Sequence, residues 1–118
     1  MSEASRTDPY ADCRIVLDVL GRIGDKWTVM VVGALAAGPQ RFNAMRRGID
    51  GISHRMLTLT LRTLERDGLV SRTVHPSVPP AVEYELTALG RSLIGPLRGL
   101  ADWALEHRDE IQAARSRG

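Results

Sequence analysis

One cysteine is all the thiol chemistry in this 118-residue chain, so no internal disulfide can staple it. Cys and His stand nowhere at zinc-binding spacing; His54 and His75 lack the further ligands that a useful site needs. No metal and no cofactor are therefore expected. Long apolar runs are also missing, none approaching the roughly 20 residues that span a bilayer, so no membrane partner is expected. The opening MSEASRTDPYADC lacks a basic segment followed by an apolar one, unlike a secretory signal, and the cytoplasm is the expected location. No nucleophile, general base and orienting group stand in a recognisable arrangement, and no glycine-rich loop cradles a phosphate. An enzyme is not expected.

Charge is scarce as well, a net +2, but it is unevenly placed. From Gln40 to His75 seven arginines (41, 46, 47, 55, 62, 66 and 72) face three acids (50, 65 and 67), which leaves the rest of the chain at −2. A basic centre between acidic ends suits a polyanion for the middle and a different task for the ends. Hydrophobic content of 43% with 25% charged residues is ordinary for one globular domain with a modest core.

The stretch that organises the chain is GISHRMLTLTLRTLERDGLV, Gly51 to Val70. Ser53 suits an N-cap, its hydroxyl accepting from a first-turn amide. Gly68 suits the position just past the helix end, where a left-handed backbone is needed. At about 100° per residue Leu57, Leu61 and Leu64 share one face. His54, Arg55, Thr58, Arg62 and Arg66 share the other, with Leu59 at its edge. Donors and short hydroxyls on an outer face are the groups that contact phosphates and base edges. A merely solvated face has the same composition, so its surroundings must decide.

Before it, Asp8-Pro9 can start a helix whose apolar positions are Ile15, Val16, Val19, Leu20 and Ile23. Gly24 ends that helix, and Asp25 caps the next, Lys26 to about Ala37. Apolar nearly all round, that second helix belongs in the core. Gly38-Pro39 stops it. Arg41 and Phe42 suit a very short strand, and Asn43 can cap a brief helix, AMRRGI. The turn Ile49–Ile52 then leads into the Ser53 helix. A short helix, a glycine-bearing turn and a longer helix with a polar face form the helix-turn-helix pattern.

After Gly68 the period changes to two. Leu69, Val70, Arg72 and Val74 suggest one strand, and Val82, Tyr84 and Leu86 another. HPSVPP between them can continue neither ladder, so a hairpin with a stiff tip is predicted. A hairpin directly after such a helix is a wing. Thr87 can cap the last helical region, which carries Leu89, Leu93, Leu97, Leu100, Trp103 and Ala104 in one stripe, with a kink expected at Gly95-Pro96. That stripe exceeds what so small a core can cover and argues for a partner chain. The fold class expected is mainly α with a small β-hairpin, a winged helix-turn-helix with N- and C-terminal dimerisation helices. Residues 1–8 are expected to be a flexible tail and 9–118 one domain, with reading helix 53–67, wing 70–86 and C-terminal dimer helices 87–113.

Four segments resemble the HxlR-type winged helix-turn-helix transcriptional regulators of bacteria: GDKW at 24–27, RFNAMRRGIDGIS at 41–53, RMLTLTLRTLERDGLV at 55–70 and VPPAVEYELTALG at 78–90. The resemblance runs from about Cys13 to Trp103. It implies a homodimeric repressor or activator that binds double-stranded DNA, with dimer contacts from the first and last helices. Members commonly carry Cys-Pro where this chain has Cys13-Arg14, and in some that cysteine senses oxidants or electrophiles. Here the proline is missing. Arg14 and the nearby helix start can stabilise a thiolate, although a small apolar packing role is open too.

The expected DNA contacts are Arg41, Ser53, His54, Arg55, Thr58, Arg62, Arg66, Arg72, His75 and Ser77, on an inverted-repeat operator. Cys13 is the candidate redox sensor, and Ile15, Val19, Leu93, Leu97, Leu100 and Trp103 are the expected dimer interface. Trp27 and Trp103 suit core or interface rather than a ligand cage. Two rivals stay open: a protein-binding winged-helix adaptor without specific DNA recognition, and a regulator gated by a small-molecule effector between the wing domain and the dimer helices.

Overall fold

Three side-chain caps set the helix register of this computed structural model, which describes residues 10–23 and 25–118. Asp25 Oδ1 accepts from the Thr28 amide at 2.9 Å, Ser53 Oγ from Met56 at 3.0 Å and Thr87 Oγ1 from Gly90 at 3.1 Å. Each satisfies an amide that the first turn of a helix leaves without an intrahelical partner. The elements are α1 (Ala11–Ile23), α2 (Lys26–Leu35), β1 (Gln40–Arg41), α3 (Phe42–Gly48), α4 (His54–Arg66), β2 (Val70–His75), β3 (Ala81–Leu86), α5 (Ala88–Ser92) and α6 (Ile94–Arg117). The tail 1–8, the Asp8-Pro9 start and the Gly24 stop lie outside the described residues.

The core forms where α2, α3, α4 and the base of the wing meet. Val31, Val32 and Leu35 of α2 pack with Met45, with Leu57, Leu61 and Leu64 of α4, and with Val70 and Leu86. The leucine spacing of α4 thus buries the expected face. Gly68 follows α4 with φ 78°. Its amide donates to Glu65 O and that of Leu69 to Leu64 O, which closes the helix with the paired bonds of a Schellman motif.

Four local expectations are corrected. The short strand is Gln40–Arg41, not Arg41–Phe42, and it pairs with β3, Gln40 opposite Tyr84 and Arg41 opposite Glu83. The two-stranded wing is therefore part of a three-stranded antiparallel sheet, order β1-β3-β2. Because that pairing holds Arg41 extended, α3 begins at Phe42. Arg41, not Asn43, is the N-cap residue, and no side chain caps that end.

The other two corrections concern helices. The second helix ends at Leu35, short of Ala37, and is not buried all round: Thr28, Val31, Val32 and Leu35 face inward while Val29 and Met30 stay exposed. The break in the C-terminal region falls at Leu93 rather than at Gly95-Pro96. Pro96 sits in the first turn of α6, where its missing N–H costs no intrahelical bond. That helix runs on to Arg117, beyond residue 113. No described helix is long and apolar enough to cross a membrane.

Candidate nucleic-acid interface

The corner between α3 and α4 is set by a tight turn. The Ile52 amide donates to Ile49 O at 3.3 Å, and Gly51, third in that turn, has φ 81°. Such a third position suits glycine, because a side chain there would crowd the backbone. Across the corner the His54 ring meets Phe42 with centroids 4.8 Å apart, which ties the start of α4 to α3.

From that fixed start α4 turns its outer face to solvent. His54, Arg55, Leu59, Arg62 and Arg66 are exposed and Thr58 is half-buried. Arg55, Arg62 and Arg66 lie within roughly 40° of one line along the helix, at 100° per residue. Thr58 Oγ1 donates to His54 O at 2.9 Å, so it retains only its acceptor side for a ligand. The Ser53 hydroxyl is engaged as the cap.

The wing stands beside this face. Arg72 Nε lies 3.9 Å from Glu65 Oε2 of α4, and Thr58, Arg62, Glu65, Arg72 and Tyr84 line the groove between them. His75 Nε2 is 3.2 Å from Glu83 Oε1, and Ser77 Oγ donates to Pro79 O at 2.7 Å. His54 and His75 thus have different neighbours, Phe42 and Glu83. The ten expected contacts divide accordingly. Arg41, Arg55, Arg62 and Arg66 present exposed cations, whereas Ser53, Thr58 and Ser77 also serve the backbone around them.

Sequence reasoning missed a second basic wall. Asn43, Arg46 and Arg47 of α3 are exposed, and Asn43 and Arg47 line a concavity of about 1000 Å³ between α3, His54 and the wing tip. Arg46 and Arg47 had counted toward the basic centre, but only the β1–β3 pairing brings the wing tip round to them.

The comparisons with known proteins bear on this geometry. The HxlR-like helix-turn-helix family model matches residues 22–112. The chain belongs to that family. Over 118 residues it is 41% identical to the HTH-type transcriptional regulator YybR of Bacillus subtilis, covering 100% of this chain and 94% of that one. Among solved structures, the redox regulator HypR in its reduced form is 42% identical with a TM-score of 0.78, covering 83% of this chain and 97% of the other. Diamide-treated YodB from B. subtilis is 31% identical with a TM-score of 0.67, over 75% and 88%. The HxlR-like chain described here is accordingly a winged helix-turn-helix transcriptional regulator.

In this HxlR-like protein the helices outside the winged core carry the remaining candidate residues. On α1, Ile15 and Val19 are 61% and 45% exposed, and on α6 Leu100 and Trp103 are 64% and 52% exposed. Leu93 and Leu97 differ from them: both are half-buried against the chain's own core. Their place in one stripe hid that division: the core reaches Leu97, and the helix runs past it before Leu100. Cys13 is exposed on α1 with a free thiol. An apolar cavity of about 550 Å³ lies where Val19 of α1 meets Leu69, Leu89, Leu93 and Pro96, with Asp67 in its wall.

Proposed function

We propose that the protein acts as a homodimer on double-stranded DNA. The two α4 helices enter successive major grooves of an inverted-repeat operator, Arg55 and Arg62 meet base edges, and Arg66 and Arg72 hold the backbone. One observation carries this reading: α4 buries Leu57, Leu61 and Leu64 while turning Arg55, Arg62 and Arg66 outward beside an exposed wing. It works by binding rather than by catalysis, and the cytoplasm, where DNA is met, is its place of action. Genome-wide selection of fragments bound by the purified protein tests it. The recovered sequences should share an inverted repeat whose half-sites lie roughly 34 Å apart. Fragments without a common sequence would overturn it. Binding should also weaken steeply with salt, which separates a DNA regulator from a protein-binding adaptor.

The dimer rests on apolar surface that the protomer leaves uncovered on α1 and α6. Sedimentation at micromolar concentration is expected to give a dimer, and Leu100→Glu with Trp103→Glu should shift it to monomer while α4 and the wing stay folded. A monomeric wild type with asymmetric operators removes the proposal.

The gate we assign is the Cys13 thiol, on its exposure and on the likeness to the solved redox regulator HypR. Oxidation by diamide would join the Cys13 thiols of the two protomers in a disulfide, two electrons and two protons passing to the diamide. Diamide should therefore change operator affinity in the wild type but not in Cys13→Ser. Equal responses in both proteins, or none in either, return Cys13 to a packing role. The cavity beside Val19 is where a small apolar effector would sit, between the winged core and α1.

A further inference from the structure

We propose, resting on the DNA-binding reading above, that Leu59 determines specificity at one position of the operator. Its side chain packs on the 5-methyl group of a thymine in the major groove. The other leucines of α4, Leu57, Leu61 and Leu64, are buried in the core, whereas Leu59 is 45% exposed and stands outside that cluster. At 100° per residue it lies about 40° round the helix from Arg55 and about 60° from Arg62. Along the axis it stands between the two, about 6 Å beyond the first and about 4.5 Å short of the second at 1.5 Å per residue.

The hydroxyl donors nearest to Leu59 are already engaged. Thr58 Oγ1 donates to His54 O at 2.9 Å and Thr63 Oγ1 to Leu59 O at 3.0 Å. Neither has a proton left for a base. Leu59 is therefore an exposed apolar spot flanked by two exposed cations. A phosphate gains nothing from a leucine, which has no donor. Thymine is the base that presents a methyl group in the major groove, and apolar side chains meet it there. Adenine or cytosine at the same place would point an amino group at the leucine, which would lose its water without gaining an acceptor. Stacked base pairs repeat about every 3.4 Å, so a pair fits between those that Arg55 and Arg62 meet. The expected half-site therefore holds a thymine, on either strand, between two guanine contacts.

The test uses the methyl group alone as probe. The full-length protein is titrated by fluorescence anisotropy with its selected operator and with duplexes in which each thymine in turn is replaced by deoxyuridine. That change removes the methyl and keeps the base pair. The wild type should lose about fourfold in affinity per half-site at one thymine, the effect of one buried methyl group. Leu59→Ala should bind the thymine and deoxyuridine forms equally, and Leu59→Met should keep the discrimination. With cytosine at that position, its 5-methylation should raise wild-type affinity by a similar factor and leave Leu59→Ala unmoved. Leu59 is exposed and alanine favours a helix, so an unchanged melting curve is expected for Leu59→Ala. A wild type that prefers its operator yet discriminates at no thymine overturns the assignment. Discrimination at the same thymine that survives in Leu59→Ala overturns it too. A wild type without operator preference removes the DNA-binding reading itself, a distinguishable result.

Discussion

Alanine at Arg55 or Arg62 should flatten operator preference at one base position by about 1–3 kcal/mol, roughly 5- to 150-fold. Both guanidinium groups are exposed on the α4 face that points away from the leucine core. They lie two turns apart, about 10 Å along the axis at 1.5 Å per residue, so each meets a different base pair. An arginine bidentate to guanine leaves that base's acceptors unmatched when lost, and the penalty falls on one sequence only. Arg72 provides the contrast. Its ion pair with Glu65 is 3.9 Å long with both side chains near half exposure, a weak tie that a phosphate can replace. Arg72→Ala should therefore weaken operator and random DNA together. Binding of each variant to single-base operator substitutions decides between the two behaviours. Equal losses on operator and random DNA for Arg55→Ala and Arg62→Ala would make α4 an anchor and place the reading elsewhere.

Gly90→Ala should be among the most damaging single substitutions for stability. The added carbon would overlap the backbone oxygen of Leu69, with Leu86 Cδ2 also only 3.1 Å away. That oxygen cannot swing aside, because it accepts from the Thr87 amide at 3.0 Å. Relief requires moving the start of β2 or of α5, so the cost should reach or exceed the upper end of the usual ~1–3 kcal/mol for overpacking. Against a total stability of about 5–15 kcal/mol that is a large share. Denaturant unfolding measures it. Gly95→Ala, with nothing within 4 Å of the new carbon, is the control and should hold or raise the midpoint. A Gly90→Ala midpoint equal to wild type would show that the close approach is not rigid.

What could be read from the sequence was whatever a few adjacent residues decide together. Asp25, Ser53 and Thr87 are caps because a short polar side chain sits just before an apolar-periodic run. Leu57, Leu61 and Leu64 are core because their spacing leaves them no other face. The wing was legible from its alternation and its prolines. Pairing between distant segments was not: a two-residue strand has no periodicity, so Gln40–Arg41 gave no sign that it joins β3. The shift of the α3 N-cap from Asn43 to Arg41 follows from that pairing, and so does the concavity that brings Arg47 into play. The break at Leu93 was hidden for a different reason. Proline advertises a kink, yet in a first turn it breaks nothing, while a leucine whose amide merely donates to the carbonyl three residues back carries no mark. Of the site, the α4 face could be foreseen residue by residue. The second basic wall could not, because its arginines and the wing tip that faces them are 30 or more residues apart in the chain.

Thr87 joins three elements through one residue. Its amide donates to Leu69 O at 3.0 Å, its hydroxyl donates to Gly68 O at 2.6 Å, and the same oxygen accepts from Gly90 N at 3.1 Å. The end of α4, the root of the wing and the first turn of α5 are thereby knotted at a point where no side chain fits between them. A torque applied to α5 cannot be dissipated there and turns the α4–wing head as one body. The same body takes in the start of α6: the Leu93 amide donates to Gly90 O at 3.1 Å, and Leu93, Ile94 and Leu97 pack on the core. The molecule is thus a stiff head that reaches as far as Leu97, with the helix from Leu100 on standing clear of it.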